Sequence, residues 1–324
     1  MTTSPRLRRI GLRVVFRAAS IVVLLLAVTL ATFLVLRVGP GDAAATRFGE
    51  EGATPEEIAL VREQLGLDRP LVEQYTTYVA DMARGDFGRS FVNDRPVLEL
   101  IQSRLPVTLS LTVTSILVAI PLTLVLGIVA GAREGRPEDT LITAWNSVMI
   151  AVPTFFLGML LALFFAVHWR WLPSTGYVSI FDNPVDFVRH MTLPAITLGT
   201  TLAASLARQL RSSFTEIMSQ DYILAAESRG IAWPVILGKH VLKNAAIPTV
   251  TLFGLQVISL IGGSIIIEQV FALPGLGQLA IGAVFARDTP VIQGIVVITA
   301  IIAIAVNLSV DSVYRVLNPR IKAT

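Results

Sequence analysis

Long apolar runs, each close to twenty residues and separated by charged stretches, constrain this chain more than any other feature. They lie at Ala18–Leu36, Val107–Ala130, Leu141–Val167, Leu193–Leu210, Ala246–Ile267 and Val291–Val310. A helix needs about 20 residues to cross the roughly 30 Å hydrocarbon core of a bilayer. Runs of this length predict an all-α integral membrane protein with about six transmembrane helices, and not a barrel. Hydrophobic residues make up 53% of the chain and charged residues 15%, against about 25% charged in soluble domains. A water-soluble fold is not expected.

The charges between the runs give an orientation. Arg6, Arg8, Arg9, Arg13 and Arg17 precede the first run with no acid among them. A signal peptide starts similarly, but its apolar stretch is shorter and ends at a small-residue cleavage site, so the first run is read as a retained helix. Lys and Arg accumulate on the cytoplasmic side, which assigns residues 1–17 to the cytoplasm. Alternation then places residues 37–106 outside, and the 211–243 loop and the 311–324 tail inside. The Arg208 to Lys243 segment is net basic, and the outer stretch from Arg37 to Arg104 carries eight arginines against twelve acids. Only the loop with Glu134, Glu138 and Asp139 runs against the rule. Because the basic residues flank spans and form no stripe with aromatics, the net charge of +3 does not point to nucleic acid.

Residues 37–106 are long enough for a helical extracytoplasmic subdomain. Thr54, Pro55 and Glu57 form a capping box with proline at the first helical position, predicting a helix to Leu65 that Gly66 terminates. Pro70 opens a second helix whose residues Leu71, Val72, Tyr75, Tyr78, Val79 and Met82 recur at helical spacing, and Gly85 closes it.

The chain has no cysteine, which excludes disulfides, thiolate metal sites and a cysteine nucleophile. His168, His190 and His240 lack ligand spacing, so no metal is expected. No Gly-x-x-x-x-Gly-Lys-Ser/Thr phosphate cradle occurs, and no paired carboxylates or triad suggest catalysis. Asn146, Gln256, Glu268 and Asn307 fall within spans. Polar groups there are costly in lipid and face protein or a watery path, so they are candidates for interhelical bonds or a translocation path. Gly127, Gly131, Gly262 and Gly263 are expected to let helices pack closely. A self-sufficient carrier or channel would need intramembrane ionisable groups, which are nearly missing.

The most informative stretch runs from Asp221 to Pro248. Ala225 and Ala226 allow another surface to approach, Gly230 allows a sharp reversal, and Pro234 can start a short helix before the next span. In Asp221, Tyr222, Ala226, Gly230, His240, Asn244 and Pro248 the sequence resembles the permease subunits of binding-protein-dependent ABC importers, specifically the dipeptide and oligopeptide branch. Leu224 stands where the broader importer motif has glutamate, a departure usual in that branch. Gly85-Asp86-Phe87-Gly88-Arg89-Ser90 before Arg95-Pro96-Val97, Glu268-Gln269-Val270-Phe271 running into Pro274-Gly275-Leu276-Gly277, and Asp288, Pro290, Gln293 and Gly294 extend the likeness over nearly the whole chain.

The resemblance implies the type I ABC importer permease fold: a first helix at 18–36, the outer subdomain, and a five-helix core at 107–310. It implies that Ala225, Ala226, Glu227, Ser228, Arg229, Gly230, Ile231, Trp233, Lys239 and His240 dock to an ATPase, with a coupling helix between Arg229 and Lys239. It further implies a second homologous permease, two ATPase subunits that hold ATP and magnesium, an extracytoplasmic solute-binding protein, and membrane lipid around the spans. No cofactor is expected on this chain, and no catalysis.

Overall fold

The computed structural model describes residues 5–38, 54–64 and 68–317, and among them no strand forms. The helices are α1 (Pro5–Val38), α2 (Pro55–Gln64), α3 (Leu71–Ala83), α4 (Val97–Ala132), α5 (Pro137–Ala151), α6 (Thr154–His168), α7 (Pro184–Met218), α8 (Asp221–Ser228), α9 (Trp233–Val270), α10 (Leu276–Phe285) and α11 (Thr289–Leu317). Among the described residues four helical segments are long and apolar enough to cross a membrane: Val15–Leu36 within α1, α4, α9, and Thr289–Val310 within α11.

The run read as one span at Leu141–Val167 is instead two helices meeting at 100°. Val152 is extended, with φ −74° and ψ 126°, because the residue before a proline is pushed out of the helical region. Pro153 in turn has no N–H to continue the ladder. The Leu193–Leu210 run sits inside the much longer α7, which is less apolar because Thr192, Thr197, Thr200, Thr201 and Ser205 interrupt it. The Ala246–Ile267 run is the later part of α9, which starts at Trp233 and passes through a π-helical stretch, Ile236–Leu242.

The chain divides into two compact units: residues up to Arg104 with Leu279–Ala305, and Leu105–Gln278 with Val306 onward. In the first unit the capping box forms as read. The Glu57 carboxylate accepts from the Thr54 N–H at 2.8 Å, and the Thr54 hydroxyl accepts from the Glu57 N–H at 3.3 Å. The expected stop at Leu65 and Gly66 lies outside the described residues. Helix α3 follows Pro70 and ends at Gly85, whose φ is +86°. It lies alongside α1, not beyond its end: the Tyr75 hydroxyl donates to the Leu26 carbonyl at 2.9 Å, and Tyr75 and Tyr78 pack on Phe33. Leu26 is ten residues before Leu36, which at 1.5 Å per residue is about 15 Å along the helix.

Two sequence motifs meet within this unit. The buried Asp288 carboxylate accepts from the Ser90 hydroxyl and, at 3.0 Å, from the Phe91 N–H. A Cβ on Gly294 would fall 2.6 Å from a Val97 methyl. The Gly-Asp-Phe-Gly-Arg-Ser segment and the residues around Asp288 are thus halves of one packed corner.

The second unit is organised on α7, whose Phe187, Met191, Leu193, Leu198, Leu202 and Leu206 form a core with Val107 and Leu111 of α4, Ile267 of α9 and Phe271 just after it. Close approach depends on glycine. A Cβ on Gly127 would sit 2.8 Å from Leu210, and one on Gly131 would sit 2.7 Å from Phe214. Gly262 and Gly263, expected to act likewise, have nothing within 4 Å of such a Cβ.

Candidate functional site

The stretch from Asp221 to Leu242 folds as a hairpin with one face anchored and the other free. Helix α8 has two inward residues, Ile223 (0% exposed) and Ala226 (7%). They pack with Leu210 and Phe214 of α7 and with Ile236, Val241 and Ala245 of α9. The spacing of three residues places both on one side of the helix. The helix ends in a Schellman motif: the Gly230 N–H donates to the Glu227 carbonyl at 2.9 Å and the Ile231 N–H to the Ala226 carbonyl at 3.2 Å. That motif needs a left-handed residue at its turn, and Gly230 has φ +71°. A Cβ there would meet nothing within 4 Å, so glycine serves the backbone conformation and not the space.

The free face carries Tyr222, Leu224, Ile231, Trp233 and Val235, all well exposed. Around them stand Ala225, Glu227, Ser228, Arg229 and Lys239, also exposed, and the half-buried His240. Two expectations change. Ala226, expected on the docking surface, is 7% exposed and packs on its own chain. The separate short helix is Asp221–Ser228, before the glycine, whereas Arg229–Lys239 is a turn followed by the first residues of α9. Within the hairpin the amide nitrogen of Asn244 donates to the His240 carbonyl at 2.7 Å and comes within 3.5 Å of the Tyr222 hydroxyl.

The platform under the hairpin is fixed by an ion pair that sequence reading missed. Asp139 accepts from Arg211 Nε at 2.5 Å and Nη2 at 2.7 Å, and from the Gly135 N–H at 3.0 Å. This two-point geometry is the strong form of the guanidinium–carboxylate bond. Glu138 of the same loop pairs with Arg133. The signal was present in the sequence: Asp139 and Glu138 are two of the three acids that ran against the charge rule, and both are held in ion pairs.

The four polar span residues do not converge. Gln256 is half-buried and Asn307 is exposed, while Asn146 is buried with its side-chain oxygen unbonded. Glu268 is fully buried and engaged by its own chain. Its carboxylate accepts from the Thr108 hydroxyl at 2.7 Å and the Gln278 N–H at 3.1 Å. Thr108 in turn accepts from the Leu276 N–H at 2.8 Å. A Cβ on Gly275 would lie 2.4 Å from this carboxyl group, and one on Gly277 2.6 Å from the Ile265 Cα. The Glu268 to Gly277 motif is therefore an elbow in which a buried carboxylate replaces missing backbone partners and two glycines make room for it. Of the two roles expected for it, interhelical bonding is the one its contacts fit, since no surface of it faces a path.

A helical fold with several apolar spans and a hairpin presenting apolar and charged residues on one face is the architecture of a multi-pass membrane protein. The chain belongs to the family of binding-protein-dependent transport system inner membrane components, whose model matches residues 123–323, with its N-terminal companion matching residues 12–112. It is thus a multi-pass inner-membrane protein of the ABC importer permease class. The glutathione transport system permease protein GsiC of Salmonella typhimurium is 42% identical over 306 residues, 94% of this chain and 97% of the relative. The Probable peptide ABC transporter permease protein y4tP of Sinorhizobium fredii is 36% identical over 312 residues, 96% and 99% of the two chains. Among solved structures, a chain of the MetNI methionine ABC transporter in an inward facing conformation aligns with a TM-score of 0.55 at 19% identity, covering 68% of this chain and 97% of its own. That likeness shows a shared fold.

Proposed function

We propose that this chain carries dipeptides or short oligopeptides across the inner membrane as one of two similar permeases, driven by two ATPase subunits and supplied by an extracytoplasmic solute-binding protein. The observation that carries the reading is the hairpin. Its inner side is locked to the core by Ile223 and Ala226, so force applied to the exposed Tyr222, Leu224 and Trp233 reaches α7 and α9 without loss in a flexible loop. ATP can shift access between the two sides only by favouring one packing of the spans over another, and a rigid element held by a partner transmits that preference. ATP and magnesium belong to the partner chains in this reading, which the missing phosphate cradle supports.

In the proposed topology the chain crosses six times, with α5 and α6 together forming one crossing and α7 another, and both ends lie in the cytoplasm. The thinner apolar character of α7 fits a span surrounded by protein, since a helix shielded from lipid does not need a uniformly apolar surface. Peptide is favoured as the solute by the named peptide relative.

A second reading, glutathione, has specific support in the 42% identity to the Salmonella permease. One experiment decides both. The chain is purified from its own host in mild detergent, its companions are identified, and the ligand released from any recovered binding protein is determined. Recovery of a second permease and ATPases with a bound peptide supports the first reading. Glutathione supports the second, and a stable chain without any ATPase overturns both.

A further inference from the structure

Between the end of α6 and the start of α7 the chain forms a cavity of about 360 Å³ that the permease reading does not use. Its wall carries Arg170, Arg189 and His190 against one acid, Asp186. That acid is already engaged: it accepts from the Asn183 amide at 2.8 Å and faces Arg189 at 3.8 Å. Arg170 forms no ion pair among the described residues. The cavity therefore holds one guanidinium charge in excess, before any contribution from the histidine.

Arg170 is placed there deliberately by the local fold. It has φ +55°, an unusual conformation for a residue with a side chain, and such conformations persist where the surroundings over-determine them. Here Trp169 and Trp171 stack on one another at 4.8 Å, both rings pack on Phe165, and the Trp171 N–H donates to the Phe165 carbonyl at 2.9 Å. Arg170 thus sits in the chain between two stacked indoles and lines the cavity.

The rim is apolar. Phe164, Val167, Trp171, Val185 and Val188 are 49–69% exposed. Exposed tryptophans with aliphatic neighbours at the end of a span mark the headgroup level of a bilayer, and a pair of guanidinium groups there offers the charge-assisted, two-point hydrogen bonding that suits a phosphate. A soluble anion would need the arginines but not this rim. We propose that the cavity seats the phosphate of an anionic glycerophospholipid, with Arg170 and Arg189 on the phosphate and the acyl chains along Val185 and Val188. The inference rests on the membrane setting alone and stands or falls apart from the identity of the transported solute.

The full chain, purified in mild detergent with whatever subunits accompany it and depleted of lipid, is offered phosphatidylglycerol or phosphatidylcholine in equal amounts, and bound lipid is read by native mass spectrometry. The native chain is expected to retain phosphatidylglycerol at least about fivefold over phosphatidylcholine. The Arg170→Gln, Arg189→Gln double variant should lose that preference, and the corresponding double lysine variant should keep most of it. Ser174→Glu, which adds a negative charge to the wall without touching either arginine, should also lose it and covers the case in which the glutamine variant does not fold. Equal retention by native and variant chains would overturn the proposal. So would full displacement of the lipid by millimolar inorganic phosphate, which would mark a seat for soluble anions.

Discussion

Glycines in this chain do two physically different jobs, and substitution separates them. At Gly230 the requirement is a left-handed backbone with open space around it, so Gly230→Ala costs only the conformational penalty, about 1–2 kcal/mol. At Gly275 the φ angle is ordinary, but a Cβ would overlap the Glu268 carboxyl group, which is held by Thr108 and the Gln278 N–H and cannot retreat. Overpacking of this kind costs roughly 1–3 kcal/mol, and any shift of Glu268 adds the penalty of unpaired buried donors, roughly 1–3 kcal/mol each. Thermal unfolding in detergent should therefore rank Gly275→Ala as clearly more damaging than Gly230→Ala. Equal losses would mean that the elbow relaxes around a methyl group. Glu268→Ala should match or exceed the glycine variant, because it removes the acceptor while leaving the Thr108 and Gln278 donors buried. The turn at Gly230 was legible in sequence, but the Glu268 elbow was not. Glu268 was visible as a polar residue near a span end and the glycines as turn signals, but their mutual contact spans up to ten residues and needs Thr108 from another helix.

At the scale of elements, the hairpin divides by exposure into residues that hold it and residues that face outward. Ile223→Ala empties a fully buried site and should cost roughly 2–5 kcal/mol. Trp233→Ala, at a site 43% exposed, should leave the unfolding temperature nearly unchanged and lower transport-coupled ATP hydrolysis by the co-purified subunits. If Trp233→Ala destabilised the chain as much as Ile223→Ala, the outward face would be structural and the docking reading would lose its main support. The capping box of α2 offers a test by pH. Hydrogen bonds from the Thr54 N–H and, second, from its hydroxyl hold the Glu57 carboxyl below its ordinary value. A depressed carboxyl contributes stability that is full above its unfolded value, near 4.5, and fades as pH falls through the folded one. Amide exchange in the first turn of α2, normalised for the intrinsic pH dependence, should accelerate as pH drops below that value, and Glu57→Gln should abolish the change. This cap, the opening of α3 at Pro70 and its close at Gly85 were legible because their partners lie within a few residues. The break at Pro153 was written in the sequence too, yet an uninterrupted apolar run hid it. Likewise Ala226 reads as a small outward residue until Ile223 fixes which side of α8 is buried.

For the whole molecule, long apolar runs were enough to read a helical membrane protein and most of its spans, because the bilayer imposes length and polarity on each segment separately. They could not show how the runs group. The segment after α1 belongs in one unit with residues 279–305, tied through Asp288 to Ser90 and Phe91, and such pairings depend on contacts nearly two hundred residues apart. Orientation is the remaining global property, and the natural chain is well suited to measuring it. With no cysteine present, a single introduced thiol reports one position without further engineering. Ser228 on the hairpin, Asp68 before α3 and Asp182 before α7 are all exposed, so a cysteine at each is open to a membrane-impermeant maleimide on its own side. Intact cells should label Asp68→Cys and Asp182→Cys but not Ser228→Cys, and inverted vesicles should show the reverse. The charge argument supports this outcome because two of the three acids opposing it, Asp139 and Glu138, are held in pairs with Arg211 and Arg133. Labelling of Ser228→Cys in intact cells would invert the topology and remove the hairpin from the compartment where ATP is available. Labelling of Asp68→Cys and Asp182→Cys from opposite sides would instead show that the number of crossings between them is odd, and the bent pair α5–α6 would then be a re-entrant loop and not a span.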